Sequence, residues 1–151
     1  MKIKRTTLKI VLLIILIMII FVIFYKIFLS EPDKVCIEDK KCFNIEIADT
    51  NEKRTLGLSN RNFLEENQGM LFVFEEEIIP GFWMNSMNFP IDIIWINKKF
   101  NIVGIEKNLQ PCNSDFCQIF YSPEEIIYVL EINSGFSEQY GFEIGNKILL
   151  K

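Results

Sequence analysis

The chain has 151 residues, half of them hydrophobic, with 16 basic residues, 20 acidic residues and no histidine. Because histidine is absent, the composition excludes Ser-His and Cys-His catalytic arrangements and every histidine-based metal site. Five of the basic residues and none of the acidic ones precede residue 30, so the remainder has 11 basic against 20 acidic residues, a formal charge of −9 that disfavours nucleic acid as a partner.

The first predicted element is an apolar helix near the N-terminus. Residues 10–24 are an unbroken run of Ile, Leu, Val, Met and Phe. A helix over residues 8–29 would be roughly 33 Å long, enough to cross the hydrocarbon core of a lipid bilayer. We therefore interpret residues 1–29 as a cytoplasmic tail and a single transmembrane signal-anchor in the cell membrane, with the C-terminal domain outside. The alternative is a cleaved signal peptide, but no small-residue cleavage site follows in residues 25–32.

A short polar connector, residues 30–34, leads into a predicted domain over residues 35–151. The elements expected there are a hairpin (35–48), a short helix begun by Asp49 with Glu52 as its capping partner and ended by Gly57, a turn or helix (59–66), strands (69–74, 82–84, 90–96 and 100–106), a loop (107–121), a strand (125–132), a helical turn (136–140) and a last strand (144–150). This pattern predicts a mainly β fold, a compact β-sandwich or barrel-like domain with one or two short helices.

Four cysteines fall as two close pairs, Cys36 with Cys42 and Cys112 with Cys117. In a compartment outside the reducing cytoplasm, such spacing favours two local disulfides. A four-cysteine zinc site is the alternative, but its cysteines are usually spaced by two to four residues, the gaps here are five and four, and the predicted compartment is oxidising. The sequence therefore predicts disulfides, no metal and no cofactor.

Two acidic residues lie inside apolar strands. Asp92 interrupts an apolar series after Pro90, and Glu131 ends the series Val129-Leu130. An inward-facing carboxylate must be paired or must have a shifted pKa, and Arg54 or Arg61 could satisfy either acid. The alternative is that each acid faces solvent or accepts from a neighbouring backbone group. Two carboxylates on adjacent strands could also form a glycosidase-like pair.

The segment of residues 82–88 combines aromatic, thioether and small polar side chains. Trp83 with nearby Asn85 could stack on a sugar ring and bind its hydroxyl groups. The alternative is that residues 82–84 belong to the core and that Asn85 and Ser86 form a turn.

Six motifs in order resemble the domain-of-unknown-function family numbered 192. They are Arg54-x-x-Gly57-Leu58, Gly-Met-Leu-Phe-Val-Phe (69–74), Phe-Trp-Met (82–84), Pro-Ile-Asp-Ile-Ile-Trp-Ile (90–96), Pro111-Cys112 with Cys117, and Val-Leu-Glu-Ile-Asn-x-Gly (129–135). The resemblance implies a compact, mostly β fold that is often exported or anchored, with no established activity. It nominates Arg54, Asp92 and Glu131 as site candidates, along with Trp83.

This chain departs from the family pattern at two places. It has Asn85-Ser86 where the family usually has Lys-Asn, and Gly145-Asn146 where the family usually has Gly-Asp. If these polar residues contact a ligand, the chemistry of the site is altered here.

Two functions remain as expectations. The first is a non-catalytic binding or accessory module that contacts an envelope glycan or an envelope protein, with Arg54, Trp83, Asn85, Asp92 and Glu131 as ligand-binding candidates; it predicts that Asp92→Asn leaves folding and binding intact. The alternative is a His-free, carboxylate-dependent hydrolase or lyase that uses Asp92 and Glu131 on an envelope glycan. That enzyme requires an acidic cleft and a carboxyl group with a strongly raised pKa.

Overall fold

The structure, a computed structural model, describes residues 5–29, 34–114 and 116–151. The chain divides into two compact units, Met1–Pro32 and Asp33–Lys151. Residues 1–4 of the predicted cytoplasmic tail and residues 30–33 of the predicted connector lie outside the described residues.

The first unit contains one helix, α1 (Arg5–Leu29), which confirms the helix predicted for the apolar segment. The side chains of Val11 to Val22 are exposed in this helix. Within the part of the chain that the structure describes, no helix meets the length and apolarity that a membrane span requires. The transmembrane role of this segment therefore stays a prediction.

The second unit is mainly β. Its described elements are β1 (Lys34–Ile37), β2 (Lys41–Ala48), α2 (Asn51–Leu56), β3 (Gln68–Ile78), β4 (Gly81–Trp83), β5 (Ile91–Ile96), β6 (Ile102–Leu109), β7 (Ile119–Tyr121), β8 (Ile126–Asn133), α3 (Phe136–Gln139) and β9 (Ile148–Leu150). Seven strands form one sheet in the order β6-β5-β8-β3-β2-β1-β9, and β4 pairs with β7 in a separate two-stranded ribbon.

The seven-stranded sheet curls into a half-barrel. All its neighbouring strands are antiparallel except β2 and β3, which are parallel. At the far ends of the sheet, the Ile148 amide donates to the Phe100 carbonyl oxygen at 2.8 Å, and the Ile102 amide donates to the Asn146 carbonyl oxygen at 3.0 Å. These bonds draw the β9 end of the sheet towards β6. The fold is the expected mainly β class with few short helices, in the specific form of a curled sheet.

The two faces of the sheet carry separate hydrophobic cores because side chains alternate along each strand. Ile94 and Leu130 belong to the core inside the curl, which also joins the two end strands through Ile102 and Ile148. Trp95 and the other residues of the second core lie on the opposite face; they pack there against side chains of the β4–β7 ribbon and of the segments that follow α2 and β4. This outer layer positions the candidate site.

The predicted cap of α2 was wrong by one residue. Thr50 has an extended backbone, and its Oγ1 atom accepts from the Lys53 amide at 3.3 Å, while the Asp49 carboxylate accepts from the Lys53 Nζ instead. Gly57 is confirmed as the C-terminal cap, and its φ of 51° belongs to the left-handed region that favours glycine.

Both disulfides were predicted correctly. Cys36 is bonded to Cys42 across the hairpin of β1 and β2, and Cys112 is bonded to Cys117 in the loop between β6 and β7. The predicted loop of residues 107–121 is shorter than expected, because β6 continues to Leu109 and β7 begins at Ile119. The last strand is also shorter, because Gly141 and Gly145 turn the chain with positive φ.

Candidate functional site

The β4–β7 ribbon exposes Trp83 to solvent. Since side chains alternate along β4, Phe82 points inward and makes edge-on contacts with the rings of Phe72 at 4.9 Å and Trp95 at 5.4 Å. Trp83 points the other way and keeps 57% of its surface exposed, whereas Met84 is buried. Of the two interpretations of this segment, the one that assigns it to the core is therefore correct for Met84. The one that exposes it to solvent is correct for Trp83.

Trp83 forms part of an open groove of about 540 Å³, which we call the Trp83 groove. Its size falls within the range of roughly 300–1,000 Å³ that is typical of small-molecule sites. The other residues that line it come from α2, from the turn after α2 and from the segment after β4: Asn51, Glu52, Thr55, Leu56, Ser59, Asn60, Asn85 and Ser86. One indole, three amides and several hydroxyl groups thus share one concave surface.

The walls of the Trp83 groove are joined through the backbone. Asn60 and Ser86 both have positive φ, at 61° and 59°, and the Asn60 amide donates to the Ser86 carbonyl oxygen at 2.8 Å. This hydrogen bond connects the turn after α2 with the turn after β4.

A second depression, of about 450 Å³, lies on the other side of Trp83. It is lined by Trp83 and Asn85 together with Ser114, Phe116, Cys117, Gln118 and Ile119. The Cys112 amide donates to the Met84 carbonyl oxygen at 2.9 Å, and the disulfide to Cys117 ties the rest of the loop to this point. The disulfide thus positions one wall beside the indole.

A small cavity of about 80 Å³ lies behind the Trp83 groove and is lined in part by Glu131; we call it the Glu131 cavity. Arg54 and Trp83 also line it, as do Thr55, Leu56, Gly57, Leu58, Ser59, Phe72, Gly81, Phe82 and Met87. Glu131 lies on β8, opposite Ile93 of β5 and Met70 of β3, on the face of the sheet that the ribbon covers.

The Glu131 carboxyl group is an unusual acid. Only 6% of the residue is exposed, and among the described residues no group forms a hydrogen bond with its Oε2 atom. Burial disfavours the charged form and raises the pKa of Glu131 to about 8, although the positive charge of Arg61 opposes this shift. At neutral pH the group is therefore mostly a neutral acid, which can donate a hydrogen bond.

Asp92 lies on the other face of the sheet and does not line the Trp83 groove or the Glu131 cavity. Its register partner is Ile132, while Glu131 pairs with Ile93, so the two acids point to opposite faces. Asp92 is fully buried, and its carboxylate accepts from the amides of Asn108 (2.8 Å), Gly135 (3.1 Å) and Ser137 (2.9 Å). The predicted carboxylate pair is wrong, because the sheet separates its members.

Neither arginine satisfies a buried acid by a hydrogen bond, which corrects the predicted pairing. The Arg54 guanidinium donates to the carbonyl oxygens of Asp49 at 2.8 Å and Val73 at 2.7 Å, and so fastens α2 to β3. Arg61 forms an ion pair with Glu46 at 2.8 Å. Arg54 lines the Glu131 cavity while its donors are directed to two backbone carbonyl oxygens and to the side-chain oxygen of Asn51.

The structure thus brings together four of the five predicted ligand-binding candidates. Arg54, Trp83 and Glu131 line the Glu131 cavity, and Asn85 lines the groove in front of it. The contribution of α2 and of the turn after it was not predicted, because their polar residues were interpreted only as helix and turn. Among the described residues, no cluster of three or more Cys, Asp or Glu side chains could hold a metal ion.

Residues 34–150 match the sequence profile of the DUF192 family, which is described as “Uncharacterized ACR”, and the chain belongs to this family. This match confirms the resemblance that the six motifs indicated.

Two solved structures share the fold. One is a protein of unknown function from Novosphingobium aromaticivorans DSM 12444, with 27% identity and a TM-score of 0.71, covering 78% of this chain and 83% of that one. The other is described as a candidate transcription regulator from Sinorhizobium meliloti 1021, with 28% identity and a TM-score of 0.70, covering 78% of this chain and 91% of that one. A comparison with curated proteins finds no match.

Proposed function

We propose that the domain is a non-catalytic carbohydrate-binding module of the cell envelope, held at the membrane by residues 8–29. The observation that carries this proposal is the exposed indole of Trp83, which lies between two depressions lined by amide and hydroxyl groups. An indole face packs well on the apolar face of a sugar ring, and amides bind the hydroxyl groups around that ring.

The charge of the groove favours a neutral ligand. Of the described residues that line the Trp83 groove, Glu52 alone is charged, and its neighbours are amides, hydroxyls and apolar groups. Phosphate-bearing ligands are usually held by Arg and Lys side chains, which this groove lacks. A neutral sugar therefore fits the lining better than a nucleotide or a phosphorylated peptide.

The envelope location rests on the sequence. The apolar run of residues 10–24 follows a basic cluster, and the two disulfides are typical of proteins outside the reducing cytoplasm. The charge of −9 beyond residue 29 speaks against nucleic acid as a partner of this domain.

The alternative function is a carboxylate-dependent hydrolase or lyase, and the raised pKa of Glu131 is the observation that favours it. A glycosidase also needs a second carboxylate about 5 to 9.5 Å from the first. Within the part of the chain that the structure describes, no other residue that lines the Glu131 cavity is acidic. We therefore place the binding module first.

Tryptophan fluorescence tests the proposal. The chain has two tryptophans, of which Trp95 is buried and Trp83 is exposed, so a sugar that stacks on Trp83 should shift only the exposed emission to shorter wavelength. We expect neutral oligosaccharides to produce this shift in the full-length chain in detergent, and Trp83→Ala to weaken binding by about 10-fold or more, since a central aromatic contact is worth about 2 kcal/mol.

The matched control is Phe63→Ala, which removes another exposed aromatic side chain from outside both depressions. It should bind like the wild type, and both variants should melt close to the wild-type temperature. Equal binding by Trp83→Ala and the wild type, or no binding across a broad panel of neutral glycans, would contradict the proposal.

A further inference from the structure

We infer that the Glu131 cavity is a subsite for the acetamido group of a 2-acetamido sugar whose ring lies against Trp83. This inference rests on the proposed carbohydrate-binding function and narrows its ligand class. It assigns to Glu131 the role of hydrogen-bond donor to the acetamido carbonyl oxygen.

The first step is that groove and cavity are adjacent. Thr55, Leu56, Ser59 and Trp83 line both of them. A sugar ring in the open groove can therefore direct one substituent past the indole into the cavity behind it.

The second step is size. The Glu131 cavity has about 80 Å³, whereas the Trp83 groove has about 540 Å³. At roughly 30 Å³ for each water-sized group, the cavity holds a substituent of a few heavy atoms and excludes a second sugar ring. An acetamido group, with four heavy atoms beyond the ring carbon, has this size.

The third step is the chemistry of the cavity wall. Leu58, Phe72 and Met87 are buried and supply apolar carbon, which suits a methyl group. The Glu131 carboxyl is nine-tenths buried and its Oε2 atom has no hydrogen-bond partner among the described residues. Leaving a buried polar group unsatisfied costs about 1–3 kcal/mol, and an incoming carbonyl oxygen would remove that cost.

The fourth step is the charge around Glu131. Arg54 on α2 lines the cavity, and Arg61 in the turn after α2 acts on Glu131 through its positive charge. The strands that pack here contribute apolar side chains: Phe72 from β3, Phe82 from β4 and Ile93 from β5. Arg61 is ion-paired with Glu46 of β2, and no described residue that lines the cavity offers an ionised acid for the ammonium group of a deacetylated amino sugar, so a neutral acetamido group is the better occupant.

The test compares three tetrasaccharides of equal length in titrations of the full-length chain: the β-1,4 tetramers of N-acetylglucosamine, glucose and glucosamine. At pH 6.5 we expect the acetylated tetramer to bind about 10-fold more tightly than either of the others, the effect of one added hydrogen bond and a buried methyl group. The preference should decline as the pH rises through about 8, because ionised Glu131 loses its donor.

Two variants distinguish hydrogen-bond donation by Glu131 from packing of its side chain against the ligand. Glu131→Gln keeps a donor that does not titrate, so its preference for the acetylated tetramer should persist to pH 9. Glu131→Met has a similar volume but no donor, so it should bind the acetylated and glucose tetramers more nearly alike. Thermal melting of each variant, compared with the wild type, identifies any loss of folding.

The outcomes distinguish this inference from the proposed function. If the wild type binds the acetylated and glucose tetramers equally, and Trp83→Ala weakens both, the acetamido subsite is wrong while the carbohydrate-binding function stands. Tighter binding of the glucosamine tetramer would also overturn it, since it would require an ionised Glu131. If no tetramer binds, the acetamido subsite is wrong, and the broad panel of neutral glycans then decides the carbohydrate-binding function.

Discussion

At the scale of single residues, two buried acids on neighbouring strands have opposite surroundings. Asp92 accepts three backbone hydrogen bonds inside the curl, whereas Glu131 Oε2 has no partner among the described residues on the opposite face. Through these hydrogen bonds, the carboxylate of Asp92 links β5 to the end of β6 and to the start of α3. The carboxyl group of Glu131 lies beside a cavity and can form a further hydrogen bond.

The raised pKa of Glu131 predicts that the stability of the protein falls as the pH rises from about 4.5 to about 8. The folded protein keeps the Glu131 proton up to about pH 8, while an unfolded chain releases it near 4.5, so the free energy of unfolding falls as the pH rises between these values. Relative to Glu131→Gln, which cannot ionise, the wild type should lose roughly 4 kcal/mol between pH 5 and pH 9. Denaturant unfolding at several pH values measures this difference, and parallel pH profiles for the two proteins would refute it.

Asp92→Asn should destabilise the fold by about 3 kcal/mol, because an amide in place of the carboxylate sets a donor against a backbone amide and leaves buried groups unpaired. The structure thus replaces the expectation that this change leaves the domain intact. Denaturant unfolding of the variant provides the measurement. The control is Asp39→Asn, an exposed acid in the turn between β1 and β2, which should change stability by less than about 0.5 kcal/mol. An unchanged midpoint of denaturant unfolding for Asp92→Asn would contradict a structural role of the Asp92 hydrogen bonds.

The sequence indicated which residues deserved attention but not how they are arranged. All six residues of β5 are buried, so its apolar series has no period that could assign Asp92 to one face. That assignment depends on the register with β8, which is a long-range property of the sheet. For the same reason, the three-residue motif Phe82-Trp83-Met84 could not reveal which of its side chains is exposed.

At the scale of elements, the site is built from short pieces attached to the outside of the sheet. The hairpin of β1 and β2, the strands β3, β5 and β8, and the cap at Gly57 could be predicted from local patterns. The parallel pairing of β2 with β3 could not be predicted. The residues of α2 and of the turns after it do not indicate that the strand they lead to returns beside β2. β3 was predicted to end at the three glutamates that follow residue 74, because consecutive charged residues are typical of loops. The strand continues through them to Ile78.

The two disulfides should have separable effects. The Cys112–Cys117 bond holds the loop beside Trp83, while the Cys36–Cys42 bond lies in the hairpin of β1 and β2. Replacing Cys112 and Cys117 by serine should weaken glycan binding several-fold, because the wall of the second depression is no longer tethered. Replacing Cys36 and Cys42 should leave binding unchanged.

Each pair of serine replacements should cost about 2 kcal/mol of stability, as expected for loops of this length. Titration and denaturant unfolding of both double variants measure the two effects, and equal losses of affinity in both would contradict a local role for the second disulfide.

At the scale of the whole molecule, the curled sheet supplies a rigid support and the outer layer supplies the site. The curl encloses one core, so the opposite face of the sheet is free to carry the ribbon, α2 and the connecting turns. Composition and alternation predicted the mainly β class. The two ends of the curled sheet are joined by hydrogen bonds between residues distant in sequence, from Ile148 of β9 to Phe100 and from Ile102 of β6 to Asn146, and this is why a sandwich and a barrel could not be distinguished beforehand.

The proposed anchor predicts how the chain behaves in cells. We expect the full-length protein to remain in the membrane fraction after carbonate extraction, and a reporter fused after Lys151 to be accessible from outside the cytoplasm. Replacing Ile14 and Ile17 by aspartate should release the protein, because each charge near the centre of a span costs about 3 kcal/mol. The control replaces Ile79 and Ile144, two exposed isoleucines of the second unit, by aspartate and should leave the fractionation unchanged. Extraction of the wild type by carbonate, or a mature N-terminus near residue 30, would refute the anchor.

The hydrogen bond between Asn60 and Ser86 has a consequence for how ligand preference can change. Because the two turns are joined through main-chain atoms, their relative position does not depend on this hydrogen bond being made by a side chain. Substitutions at Thr55, Ser59 or Asn85 can therefore exchange the groups offered to a ligand while this hydrogen bond persists. Such a surface can acquire new selectivity by single mutations that leave the stability of the scaffold nearly untouched.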